Sequence, residues 1–243
     1  MYGWRARIGL IKPTLRGKSF APWYKSAPDG VEILPTYVGY TKGEGAVFEA
    51  GLTRIETLAD ELCAVGVDLV CVSGGPPFLL RGAEFEREWA SKLAQRTGRP
   101  VVPPLAAHVA ALQSFGAKSV TVITYYKDDL NQAMRQYLET FGLVAAVHPI
   151  DGGSAEELYA VSMRDVESIT WQDVYRHARR ACEGAEADAL YIHGAGWDAE
   201  AAVAPLEADL GIPVIFGPVA EMWDAYRQLG IHFRAGHLGR LVS

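Results

Sequence analysis

The chain has 243 residues, 49% of them hydrophobic, with 3 cysteines and a formal charge of −6. That length and apolar content suffice for a substantial core, and the acidic balance argues against a surface for nucleic acid or another polyanion. The scattered cysteines suggest neither a disulfide framework nor a cysteine-rich zinc site, no stretch reaches membrane-spanning length, and a cytoplasmic setting is expected.

Residues 7–11 read as a first strand, with Lys12, Pro13 and Thr14 at its tip. The long segment over 15–45, rich in Gly, Pro and aromatic residues, holds a second strand near 31–38. It reads otherwise as a lid or an ordered surface loop pinned by Trp23 and Tyr24. Helical spacing over 47–65 ends at Gly66, and a strand over 68–73 runs into Gly74 and Gly75. A helix over 83–97, a short strand over 100–102 and a helix over 105–115 complete the first half.

The second half opens with a strand over 119–124, whose tip leads to Asp128 or Asp129 as the cap of a helix reaching Gly142. A strand over 143–148, a turn over 151–157 into a short helix, and a helix over 171–182 follow. A strand over 188–193, a helix over 200–210, a strand over 214–216 and a helix over 219–229 close the half. The tail, 231–243, is expected to pack on the first half.

The two halves repeat each other. Residues 68–77, DLVCVSGGPP, match 188–197, DALYIHGAGW, so that Ser73 falls on His193 and Gly74 on Gly194. Downstream, 98–116 resembles 211–230, and upstream 6–13 resembles 119–126. Apolar runs ending in glycine turns read as buried parallel strands, and in open α/β sheets ligands bind beyond such tips. The expected fold is α/β: two pseudo-symmetric, flavodoxin-like or Rossmann-like halves, 1–117 and 118–230, with parallel sheets. The tips at 12–14, 73–77, 125–127 and 193–197 should converge on a cleft between them. No Gly-x-Gly-x-x-Gly opens a helix and no ligand spacing marks a metal site, so neither a nicotinamide or flavin cofactor nor a metal is expected.

The strand-tip order, the run from Tyr125 and Tyr126 through Asp128 and Asp129 to Asn131, and the Gly194-Ala195-Gly196 turn resemble the aspartate/glutamate racemase superfamily. The likeness is to its arylmalonate decarboxylase and maleate cis-trans isomerase branch. Members of that superfamily use cysteine at one or both of two symmetry-related strand tips, as a proton carrier or as a nucleophile. The resemblance places those two positions at Gly74 and Gly194, where no thiol stands. Of the three thiols, Cys71 reads as a buried, inert group, and Cys63 and Cys182 as packing residues.

The resemblance also implies that Tyr126 and Thr14 meet a substrate carboxylate. Tyr125 reads as packing. Lys12 would add positive charge, and Ser73 is the hydroxyl left beside the first glycine turn. The amides of Gly74 and Gly75, and of Gly194, Ala195 and Gly196, would hold an oxyanion. His193 is the only imidazole at either tip and the candidate for proton transfer, and Tyr126, which would help hold the enolate, is the second catalytic candidate.

The expected function is a cofactor-independent enzyme acting on a small carboxylate or carbonyl compound through an enolate-like intermediate, of decarboxylase or isomerase type. Alternatives are a hydrolase of a small amide, lactone or imine, in which His193 activates water under the orientation of Asp198 or Glu221, and a non-catalytic small-anion binder. A homo-oligomer is expected, with no nucleic-acid or membrane partner.

Overall fold

The computed structural model describes residues 3–16, 18–150, 152–153 and 156–243. Its strands are β1 (Ala6–Lys12), β2 (Val31–Tyr37), β3 (Leu69–Val72), β4 (Val101–Val102), β5 (Ser119–Thr124), β6 (Val144–Pro149), β7 (Ala189–Ile192) and β8 (Val214–Phe216). They form two four-stranded sheets, ordered β2-β1-β3-β4 and β6-β5-β7-β8, and all pairs are parallel. The α/β fold with two matching parallel sheets is the one the repeat implies.

The acidic residue that opens each copy of the repeat has a structural task. Asp68 Oδ2 accepts from the N–H of Arg7 at 2.8 Å, and Asp188 Oδ2 accepts from those of Lys118 and Ser119 at 2.8 Å. Each carboxylate thus ties the start of one central strand to its neighbour. These pairs also correct the upstream match by one residue. Ile8 lies beside Leu69 as Val120 lies beside Ala189, so Arg7 corresponds to Ser119 and Thr14 to Tyr126. A single-residue slip is easy to make in an apolar run, because the residues around it are all of one character.

The helices are α1 (Ala21–Lys25), α2 (Gly45–Ala64), α3 (Pro76–Thr97), α4 (Pro104–Ser114), α5 (Asp128–Glu139), α6 (Trp171–Cys182), α7 (Val203–Leu210) and α8 (Gly217–Gln228). Helix α3 starts earlier than its apolar spacing suggests and breaks at Gly82, whose φ of 85° no ordinary side chain adopts comfortably. At α5 the N-cap is Lys127 and no side chain caps it; Asp128 and Asp129 lie in the first turn, where they complement the helix dipole. The turn expected over 151–157 falls partly outside the described residues, and among the described residues between β6 and α6 the helical element is a 3-10 turn at Val166–Ser168.

The halves join through α4 and α8, which pack on each other, with α8 reaching β3 and β4 and α4 reaching β8. Helix α4 is apolar nearly all round, as a helix buried between two sheets must be. Trp23 is fully buried and pins the long first connection, whereas Tyr24 is exposed. The tail touches both halves: its 3-10 turns contact α7 and α8 in the second, and His237 Nε2 stands 3.5 Å from Ser26 Oγ in the first. Arg240 N–H donates to Glu207 Oε2 at 2.8 Å, and the Phe233 ring packs on Tyr226. Glu207, near the end of α7, supplies the acceptor that draws the tail there.

Candidate active site

Strands β3 and β7 both end in a glycine with positive φ, 105° at Gly74 and 109° at Gly194. The two turns face each other across one cleft, which Pro13, Thr14, Gly74, Gly75, Tyr125, Tyr126, His193, Gly194, Ala195 and Gly196 line together. The approach is close enough that a Cβ on Gly75 would stand 2.9 Å from His193 Cε1. Only glycine lets the ring of one half lie over the turn of the other.

His193 is 1% exposed and has a tyrosine hydroxyl at each ring nitrogen. Tyr126 Oη lies 3.1 Å from Nε2 and Tyr191 Oη 2.5 Å from Nδ1. The same Tyr191 oxygen lies 2.5 Å from Nδ1 of His108, on α4. His108 Nε2 in turn stands 3.5 Å from Glu221 Oε1, on α8, which accepts from Ser73 Oγ at 3.1 Å. Tyr126, His193, Tyr191, His108 and Glu221 therefore form one buried polar line from the cleft wall to the joint between the halves. Burial, then His108 nearby, hold the His193 imidazole well below its usual pKa, so it is neutral near pH 7.

A hydroxyl has one hydrogen, and this fixes the order of donors along the line. Tyr191 donates to only one of its two imidazoles, so the other ring donates to Tyr191. Two arrangements of donors satisfy the hydrogen bonds from Tyr126 through His193 and Tyr191 to His108 Nδ1, and they run in opposite directions. Passing one proton along the line converts one into the other.

The structure places other expected residues differently. Lys12 is fully buried behind the cleft and does not line it; burial, partly offset by Glu221, lowers its ammonium to a pKa of about 8. Ser73 also lies behind the wall, on Glu221. Neither Asp198 nor Glu221 touches His193, because both ring nitrogens are taken by tyrosines. Cys71 is fully buried, and burial pushes its thiol well above the usual range.

Arg16 supplies the positive charge that Lys12 does not. It lines the cleft four residues further on, with its Nη1 buried and without a hydrogen-bond partner among the described residues. Tyr40, Phe48 and Tyr159 add an aromatic wall. The His108–Glu221 pair was present in the repeat, since Ala107-His108 aligns with Ala220-Glu221, but its chemistry depends on a contact between halves. Arg16 sits in an irregular segment with no motif to mark it.

This architecture and site belong to a known group: the chain is a member of the arylmalonate decarboxylase family, whose model matches residues 8–242. Arylmalonate decarboxylase of Bordetella bronchiseptica is 28% identical over 227 residues, covering 92% of this chain and 90% of that protein. The solved structure of unliganded arylmalonate decarboxylase superposes with a TM-score of 0.81 at 25% identity, covering 98% of each chain. A variant of the maleate isomerase of Pseudomonas putida S16, solved with maleate, gives a TM-score of 0.85 at 19% identity, covering 98% of this chain and 97% of that one. The last likeness is one of fold. Membership points to an enzyme of decarboxylase type.

Proposed function

We propose that this protein is a thiol-independent enzyme that acts on a small carboxylate through an enolate-like intermediate, with decarboxylation as its reaction type. The observation that carries this reading is the buried line from Tyr126 through His193, Tyr191 and His108 to Glu221, opening on the cleft beside Arg16. A decarboxylase needs one anion site, a place for the enolate oxygens and one proton. Arg16 supplies the first, as a charge-assisted donor. The turn at Gly74 and Gly75 supplies backbone amides for the second.

Loss of carbon dioxide breaks a carbon–carbon bond and leaves its electron pair on the remaining carbonyl or carboxyl group as an enolate. That carbanion equivalent takes one proton. Tyr126 gives up its hydroxyl proton toward the cleft and receives one from His193 Nε2, which Tyr191 replaces at Nδ1. His108 Nδ1 replaces the proton of Tyr191, and a proton from solvent is taken up at His108 Nε2, beside Glu221. His193 is neutral again at the end, as its burial demands.

The similar proteins include a decarboxylase named for arylmalonates and, by fold alone, an isomerase variant solved with maleate, and these set the substrate panel. Turnover of substituted malonates, maleate, hydantoins, lactones and amides is to be compared for wild type and His193→Asn. Turnover of a malonate that falls in the variant supports the reading. Hydrolysis of a lactone or amide alone would replace it with the hydrolase, and carboxylate binding without any turnover with the anion binder.

A further inference from the structure

We infer that Tyr125 is the acid that meets the reacting carbon, its hydroxyl standing in the space that a side chain on Gly194 would fill. This assignment rests on the proposed function and names the last group in its proton line. A Cβ built on Gly194 would lie 2.4 Å from Tyr125 Cε1 and 2.9 Å from its hydroxyl oxygen. The β7 turn thus has no side chain of its own, and the phenol of the neighbouring β5 tip reaches into the vacated volume. The opposite turn has no such visitor: a Cβ on Gly74 would meet the ring of Pro13, which holds no proton to give. Of the two equivalent positions, 74 and 194, only the second therefore has a proton-bearing side chain in the space its own side chain would fill.

The hydroxyl is prepared for the task. Gly196 N–H donates to Tyr125 Oη at 3.2 Å, so the turn read from sequence as a nest for substrate oxygen is directed at the phenol. Such a nest holds a phenolate better than a phenol, and that is the species left after a proton is given away. Burial pushes Tyr125 up to a pKa of about 12, against hydrogen bonding from Gly196 N–H, the Tyr126 hydroxyl and Ala195 N–H and the charge of Arg16. Tyr126 and Tyr159 are buried with the negative ends of other phenols as neighbours and are driven well above their usual range. Among the four cleft tyrosines, Tyr40, Tyr125, Tyr126 and Tyr159, Tyr125 is the one whose oxygen accepts from backbone N–H groups of the glycine turn.

The step balances as follows. The Tyr125 O–H bond breaks, its proton forms a C–H bond with the electron pair of the enolate, and the phenolate remains on the Gly196 and Ala195 amides. Tyr126 then gives its own proton to the phenolate and is refilled by His193. Tyr125 delivers and Tyr126 reloads.

The test is kcat and KM of wild type and Tyr125→Phe on phenylmalonate and maleate. Phenylalanine keeps the ring against Gly194 and Trp197 and removes only the hydroxyl. The expected result is a fall in kcat of about 10²-fold or more with KM within a few-fold of wild type. A trifluorotyrosine at position 125, which keeps ring and hydroxyl but lowers the phenol's pKa, should bring an alkaline limb of kcat down to accessible pH. A purely structural tyrosine would not move that limb, and the fluorinated protein serves even if Tyr125→Phe folds poorly. Wild-type turnover with an unchanged Tyr125→Phe rate and no new limb overturns this assignment and leaves the proposed function standing. Absence of wild-type turnover on both probes overturns the decarboxylase or isomerase reading, and this assignment with it.

Discussion

Glu221 of α8 and His108 of α4 occupy equivalent positions in the two halves and meet 3.5 Å apart, carboxylate oxygen to ring nitrogen. The repeat has placed one buried polar residue on each joining helix and then made them different. Ser73 leans on the carboxylate, and Tyr191 connects the imidazole to His193. Symmetry thus sets the positions and divergence gives them a direction. Glu221→Gln keeps the shape and removes the carboxylate beside His108 Nε2, so turnover should fall about 10²-fold while binding of a small carboxylate, measured calorimetrically, stays within a few-fold.

His193→Asn retains a short polar side chain but cannot span both tyrosine hydroxyls. Turnover is expected to drop by about 10²–10⁴-fold, the ordinary worth of a positioned acid or base, with carboxylate affinity preserved. Single-turnover kinetics with the best malonate of the panel reads this directly.

Arg16→Gln removes the cleft's charged donor and leaves the relay alone. A hydrogen bond to a charged group contributes about 1.5–3 kcal/mol, so carboxylate affinity should weaken by about 10- to 100-fold. The change should appear in Kd and KM rather than in kcat, and added salt should blunt the wild-type affinity more than the variant's.

Glu86 offers a test of the core beneath the site. Its buried carboxyl accepts from Tyr137 Oη and from Leu105 N–H, the latter at the start of α4, and burial raises its pKa to about 7. The unfolded chain ionises this carboxyl near the ordinary value of 4.5, whereas the folded chain holds the proton to about pH 7. Stability that is complete below pH 4.5 is therefore lost as pH rises through 7, by about 3 kcal/mol. Other groups, His193 among them, titrate over the same range, so the useful quantity is the difference between proteins. Glu86→Gln should gain stability over wild type progressively from pH 4.5 to 7.5 in denaturant titrations, and a constant difference would contradict the assignment.

Much of this fold was legible because its signals are local and repeated. Glycine after an apolar run, acid before it and helices between give two parallel sheets, and the match of Ser73 to His193 put the turns in the right places. Of the residues expected at the candidate site, Gly74, Gly194, His193 and Tyr126 do line the cleft, because there the backbone itself delivers them. The site was not legible where a side chain chooses a direction. Lys12 ends its strand facing the core, and Arg16, two residues past Thr14, takes the cleft. Tyr125, next to Tyr126 and read as packing, fills a gap that exists only because residue 194, far away in sequence, is glycine. The line through Tyr191 and His108 crosses from β7 to α4, and no one-dimensional spacing encodes a contact between halves.

The central claim is proton transfer without a thiol, and replacing all three cysteines tests it most directly. Cys63, Cys71 and Cys182 changed together to Ala should leave kcat for the best malonate within a few-fold of wild type, once thermal denaturation shows the protein folded, while His193→Asn measured beside it loses most of its turnover. Loss of turnover in the folded cysteine-free protein, with His193→Asn still active, would contradict the account and return the chemistry to a thiol.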